Sequence, residues 1–363
     1  MSEPLSVPDL GPAPGTGLAQ ARERLLACAR AGLLRHAVDA AHGGAGDGFH
    51  ELVAAHEALG RRSRDPGLLL AVNAHLWGSV FALQKFGSAE QQAAWIPKLL
   101  DGRAIGGHAI TEPDAGSDVQ GLAATAVEDG DGFRLNGRKR FITNAPLADL
   151  LVVYARLGAG GPLSAFLVQA DDAGAGFLDG PVVQGCATAS MGDVVLEDCR
   201  LPGTRLLGRA GAGATMIQLA LELERAFVFA GLLGVMEWQL EKVTAWVRAR
   251  PSGDGRLADV QAVAHRIAAM KLRLDTARLW IERCAALCEA GRRITLASAE
   301  TKLYASEAFL DNSLDAVHLL GAAGLQGELP ALVQDALAGR LLSGSSEIQK
   351  NIIAALLGLG GRR

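Results

Sequence analysis

HAITEPDAGSD, residues 108–118, is the stretch where the chain changes character. A β-type run empties there into a turn of Pro113, Asp114, Gly116, Ser117 and Asp118. Such a turn exposes backbone N–H groups and short hydroxyls, which can hold a polar ring edge or an anionic group. Some thirty residues on, RFITNA (140–145) sets an aromatic, an aliphatic and a hydroxyl side chain in series.

Short β-type runs surround these two segments: AIGGHAIT (104–111), LAATAVED (122–129), FRLNGRKRFIT (133–143), LLVVYARL (150–157), SAFLVQA (164–170) and VVLEDCRL (194–201). Their length and spacing predict a small antiparallel barrel or sandwich, not βαβ units. No GxGxxG follows a strand and there is no P-loop, which argues against a Rossmann or Walker nucleotide site. Upstream, residues 18–60 and 67–100 show helical spacing, interrupted by AHGGAGDGF (41–49), with Ser88 placed to cap a helix. Downstream of Gly213 helical periodicity returns over 213–249, 256–291, 294–321, 328–339 and 346–358, broken at Pro251–Gly255. The expected class is α+β: a loosely ordered leader (1–17) rich in proline, an N-terminal helical domain (18–102), a middle β domain (103–212) and a C-terminal helical bundle (213–363).

At 363 residues the chain exceeds what one core fills, so several packed regions are expected. Its mean hydropathy of +0.20 suggests extensive helix burial or subunit contacts. A net charge of −4 without any basic run gives no sign of nucleic-acid binding. No uninterrupted apolar segment approaches the ~18 residues of a membrane span. The N-terminus lacks a basic and an apolar signal region, so a cytoplasmic location is expected. Cys284 and Cys288 stand i, i+4 and would share a helix face. A core stripe is the favoured reading over a metal pair, since no further His or Cys completes four ligands.

One helical run stands out: LELERAFVFAGLLGVM, 221–236. Glu224 and Arg225 head an almost wholly apolar stretch, and a charged group there needs either a partner or a task. On pattern alone a structural Glu224–Arg225 pair is the plainer reading.

The segments together resemble the acyl-CoA dehydrogenase family, whose T-E-P-x-A-G-S-D and W/F-I-T-N motifs are matched in order at 111–118 and 141–144. A third match is LLSGSSEIQKNII (341–353), similar to the family's terminal E-G-T-S-x-I-Q stretch. The resemblance covers nearly all of the chain beyond the leader. It implies a helical, β, four-helix-bundle plan, non-covalent FAD, and removal of two hydrogens across the α–β bond of an acyl thioester. By resemblance His108, Ala109, Ile110, Thr111, Gly116 and Ser117 line the flavin, with Ser117 also near the thioester. Phe141, Ile142 and Thr143 cover a face of the ring, and Ser345 and Glu347 make further contacts. The nucleotide half is completed by a neighbouring subunit of a homodimer or homotetramer, at positions matching Arg250, Ser252, Gln261, His318, Gly321 and Ala322. Two departures bear on that half: Arg-x-x-Phe-Gly becomes Arg250-Pro-Ser-Gly-Asp254, and Gln-x-x-Gly-Gly becomes His318-Leu-Leu-Gly-Ala322.

The resemblance also moves the base. Many members supply it from the C-terminal motif, where this chain has Ser343. Isovaleryl- and long-chain-type members place it in a segment like L-D-L-E-R, matched here by Leu221–Arg225 with Glu224 at the base position. Glu222, about 200° round the helix, should face elsewhere. The Ser343 backbone N–H would polarise the thioester oxygen, with Gly344 beside it and Arg225 near the thioester end, so loss of the Ser343 hydroxyl is expected to cost little. An electron-transfer flavoprotein or other acceptor would reoxidise the flavin. Three readings stay open: an acyl-CoA dehydrogenase, a biosynthetic enzyme acting on an acyl-carrier-protein thioester, and a non-catalytic relative that binds thioesters or partners.

Overall fold

The computed structural model describes residues 7–12, 17–181 and 183–359. Five helices come first: α1 (Leu18–Arg30), α2 (Phe49–Ser63), α3 (Pro66–His75), α4 (Phe81–Phe86) and α5 (Ala89–Leu100). Ser88 caps α5 as its sequence predicts, accepting from Gln91 N while the Gln91 side chain reaches back. Part of the expected loose leader is held in place: Val7 is buried, and Arg24 donates to the carbonyls of Leu10 and Gly11, both at 2.9 Å. Pro4 and Pro14 lie outside the described residues.

α3 and α4 are one helix, Pro66–Phe86, joined by a π-helical turn at Leu76–Val80. By length and composition this helix is apolar enough to cross a membrane, although it holds no uninterrupted apolar run of ~18 residues. This helix is 21 residues long with hydropathy 1.4, yet 94% of that window is buried inside the protein, so it is a core helix. Its π-turn lies on the first strand. A Cβ on Gly78 would come within 2.7 Å of His108 N, and His75 accepts from Gly106 N at 3.0 Å.

Eight strands form the middle sheet: β1 (Gly106–Ala109), β2 (Thr125–Asp129), β3 (Gly132–Ile142), β4 (Leu150–Leu157), β5 (Leu163–Gln169), β6 (Ala175–Asp179), β7 (Gly192–Pro202) and β8 (Leu206–Leu207). The order is β6-β7-β3-β2-β4-β5-β8, with β1 also on β4. The all-antiparallel expectation fails at β4, which pairs in parallel with both β1 and β2. The reason is the long connection from β1 to β4, which carries the β2–β3 hairpin and gives the chain room to return in the same direction. β4 is buried on both faces, which is why LLVVYARL reads as a continuous apolar run. Leu150, Val152 and Tyr154 join the helical core, whereas Leu151, Val153 and Ala155 join the core of the β domain.

The last block holds α6 (Gly213–Phe227), α7 (Ala230–Ala249), a small hairpin of β9 (Pro251–Ser252) and β10 (Gly255–Arg256), α8 (Gln261–Glu289), α9 (Thr295–Leu320), α10 (Leu329–Gly339) and α11 (Ser346–Leu356). The single helix expected over 213–249 is broken at Val228–Phe229. The break separates Glu224 from Gly231 and Gly234, the glycines that let α7 lie backbone-to-backbone on α2. A Cβ on Gly60 of α2 would sit 1.7 Å from Gly231 O. Gly60→Ala is therefore expected to force α2 and α7 apart and to destabilise by about 1–3 kcal/mol, seen as a lower midpoint in urea unfolding.

Candidate active site

The β domain, α6 and the turn after α10 enclose a cavity of about 580 Å³. Its walls include His108, Ile110, Thr111, Gly116 and Ser117, then Phe141–Thr143, then Glu224 and Arg225, and finally Ser343 and Gly344. The three motifs, distant in sequence, thus converge. Ala109 does not take part, because successive strand residues point to opposite faces; it is buried in the β-domain core. A second cavity of about 490 Å³, lined by His36, Asp47, Phe49 and Trp77 among others, holds none of the expected residues.

The turn after β1 is held from beneath by a buried ion pair. Lys139, with no exposure at all, donates to Glu112 Oε1 at 2.7 Å and to Ile110 O at 3.1 Å. Glu112 also accepts from Ala123 N and Ala124 N, at 2.6 and 3.0 Å. Burial pushes the Glu112 carboxyl up, but Lys139 and the two amides outweigh it and hold it below the ordinary carboxylate range. Just beyond Lys139, the pairing of β3 with β7 shifts register. Phe141 sits at that shift with φ +56°, a conformation costly for a bulky residue. Its ring stays 46% exposed although it lines the cavity, with the Arg140 guanidinium 5.0 Å from its centroid.

Glu224 is buried on α6, one of its oxygens accepting from the Ser343 hydroxyl. Its Oε2 has His108 Nε2 at 3.4 Å, yet no hydrogen-bond partner among the described residues. Burial raises the Glu224 pKa, but His108, Ser343 and Arg225 together carry it below the usual carboxylate value. The plain Glu224–Arg225 pair is not formed. Arg225 Nε donates instead to Ser343 O at 3.2 Å, and Gln349 donates to Gly344 O at 2.9 Å. These bonds hold a turn with two successive left-handed residues, Ser343 (φ +56°) and Gly344 (φ +89°). The Ser343 N–H makes no backbone hydrogen bond among the described residues. Glu222 faces elsewhere, as its helical angle predicts, accepting from Thr295 Oγ1 at 2.7 Å.

Residues 16–103, 107–199 and 211–358 match the family models for the N-terminal, middle and C-terminal domains of acyl-CoA dehydrogenase. The chain belongs to the acyl-CoA dehydrogenase family. It is 38% identical over 342 residues to the L-prolyl-[peptidyl-carrier protein] dehydrogenase of Pseudomonas fluorescens, covering 92% of this chain and 89% of that one. The mitochondrial short-chain specific acyl-CoA dehydrogenase of Mus musculus is 34% identical over 331 residues, 90% of this chain and 80% of the relative. Among solved structures, PigA with FAD and proline superposes with a TM-score of 0.91 at 32% identity, over 95% of this chain and 92% of that one. This acyl-CoA dehydrogenase-family chain is an FAD-dependent oxidoreductase of acyl thioesters, and the non-catalytic reading falls away.

The cavity fits a flavin on its own evidence: an uncovered aromatic face at Phe141, hydroxyls at Thr111, Ser117 and Thr143, and close backbone at Gly116. Two expected contacts lie outside the wall. Ser345 caps α11 through Ile348 N, and Glu347 is exposed in its first turn. Arg250, Ser252, Gln261, His318, Gly321 and Ala322 are also outside it, at the end of the bundle where α7 and α9 finish and α8 begins. The Arg266–Asp315 pair, at 3.4 Å, brings the end of α9 against the start of α8. Where the family has its Phe-Gly, this chain makes the β9–β10 hairpin.

Sequence patterns did not point to the loop Val183–Gly185, to Leu337 and Ala338 on α10, or to Leu70 on α3, all of which line the cavity. Their only signal is apolarity shared with the core. Lys139→Met, which leaves Glu112 buried without its cation, is expected to cost about 3–5 kcal/mol in chemical unfolding and to release FAD, read from absorbance after gel filtration.

Proposed function

We propose that the chain dehydrogenates the α–β bond of a prolyl thioester carried on a peptidyl-carrier protein, with Glu224 as the base. One observation carries the assignment of the base: Glu224 is the one carboxylate in the cavity wall among the described residues, buried, with an unpartnered oxygen. A buried carboxylate with one oxygen not engaged by the described residues suits α-proton abstraction. The carrier-bound prolyl substrate rests on the similarity to the Pseudomonas fluorescens enzyme over nearly the whole length of both chains. An acyl-CoA substrate is the second reading, favoured by the similarity to the short-chain enzyme.

FAD, when bound, supplies the two-electron acceptor. Thr111, Ser117 and Phe141–Thr143 would hold its ring, with Ala109 contributing backbone alone, and Ser345 and Glu347 would lie next to it. Arg250, Ser252, Gln261, His318, Gly321 and Ala322 would complete a neighbouring subunit's site in a homodimer or homotetramer. The Ser343 N–H would donate to the thioester oxygen as charge develops there, a contribution of several kcal/mol for an oriented donor in a dry site. Arg225 acts through the carbonyl of Ser343, fixing the turn that presents this donor. An electron-transfer flavoprotein or another soluble acceptor would take the electrons onward, in a cytoplasmic setting.

Anaerobic bleaching of the flavin tests the substrate. Bleaching by prolyl-carrier thioester, and not by prolyl-CoA or butyryl-CoA, is the expected result; bleaching by the CoA esters alone would overturn the carrier reading. For the base, Glu224→Gln is expected to keep FAD and to lose bleaching by roughly a thousandfold or more, on the scale of removing a general base with its geometry kept. Near-normal bleaching would refute the assignment.

Ser343 contributes its side chain as well as its backbone. Because its hydroxyl donates to Glu224 and lowers that carboxyl's pKa, Ser343→Ala should raise it. The base must be ionised, so the acid limb of the pH–rate profile should move to higher pH while the alkaline plateau changes little. An unmoved acid limb would refute this coupling.

A further inference from the structure

We propose that His108 recognises the amine of an α-aminoacyl substrate, its Nε2 taking the N–H next to the carbon that Glu224 deprotonates. The inference rests on the prolyl-thioester reading above. In a prolyl group the ring nitrogen and the α-hydrogen share one carbon, the nitrogen one bond, about 1.5 Å, away. Two protein groups serving those neighbouring substituents must themselves be neighbours. His108 Nε2 and Glu224 Oε2 stand 3.4 Å apart, and Glu224 Oε2 has no aligned hydrogen-bond partner among the described residues.

The other ionisable group in the wall does not suit the task. Arg225 is cationic, would repel an ammonium, and is already spent on Ser343 O. The imidazole alone offers an sp² ring nitrogen, which in the tautomer protonated at Nδ1 accepts from an amine. His108 Nδ1 is buried without a partner among the described residues, so no group behind the ring fixes which nitrogen carries the proton. The root of the ring is crowded nonetheless, since a Cβ on Gly78 of the π-turn would come within 3.0 Å of His108 Cγ. A hydrocarbon acyl group would leave the imidazole facing it with nothing to bond, and a site with an unmet polar group discriminates against such a substrate. The proton accounting is simple. The substrate amine donates one N–H hydrogen bond to Nε2 with no bond broken, while the Cα–H proton goes to Glu224 as before.

The test compares prolyl and cyclopentanecarbonyl thioesters on the same carrier protein, which differ in the ring nitrogen alone, by anaerobic bleaching of the holoenzyme. The wild-type protein should favour the prolyl ester by about tenfold or more, the scale of a hydrogen-bonding site facing a substrate that lacks the group. His108→Leu should bring that ratio to about one, and His108→Gln, which keeps an acceptor, should restore part of it. Flavin absorbance and melting temperature of each variant establish that it is folded and loaded. A ratio unchanged in His108→Leu, or no wild-type preference, overturns the role of His108 and leaves the prolyl reading standing. Failure of the wild-type protein to bleach with the prolyl ester, when other thioesters do bleach it, overturns the prolyl reading, and the inference falls with it.

Discussion

The ion pair between Lys139 and Glu112 is the constraint on which the rest of the site depends. A lysine with no exposed surface is tolerated because a carboxylate and a carbonyl meet its ammonium. Burial alone would push the Lys139 pKa down, and Glu112 opposes this. The pair ties the turn after β1 to β3 from within the domain. On one side it fixes Ile110 and Glu112, and so the backbone that carries Thr111, Gly116 and Ser117. On the other it anchors the strand two residues before Phe141, where the chain takes a conformation that a loose strand would relax. Two motifs that look like separate flavin contacts are one mechanical unit.

The third motif meets this unit from a different direction. The turn at Ser343 and Gly344 is locked by Arg225 and Gln349, and Lys302, buried on α9 and pushed by burial down to about 8, donates to Arg340 O at 3.1 Å just ahead of it. The base and the turn therefore share their supports: Glu224 bonds the Ser343 hydroxyl, and the next residue on α6 bonds the Ser343 carbonyl. A change at either end of this contact is felt at the other.

Much of this was legible in the sequence. The order of helical and β blocks followed from periodicity, Ser88 announced its cap, and Glu222 could be turned away from the site by helix geometry alone. Convergence of residues 108–117, 141–143, 224–225 and 343–344 came from resemblance, since nothing in local pattern says that these segments meet. What stayed hidden has a common cause. The parallel pairing of β4, the π-turn, the break at Val228–Phe229 and the buried pair at Lys139 are all settled by contacts far apart in the chain. A lysine in FRLNGRKRFIT reads as a solvated strand residue until Glu112 is known to lie beneath it. The cavity walls at Leu70 and Leu337 likewise look like core, because an apolar wall and an apolar core have the same composition.

The helix Pro66–Phe86 imposes an order on the making of the protein. It is as apolar as a membrane segment, and while α1 and α2 cover part of it, the rest of its cover comes from elements made later: β1, residues 186–189, α6 and α7. A growing chain therefore carries this helix only partly covered until roughly 150 further residues have been added. At ribosomal speeds of about 5–20 residues per second, that is an interval of about 8–30 seconds. During that time the N-terminal helices lack the part of their cover that β1, α6 and α7 give them in the finished fold.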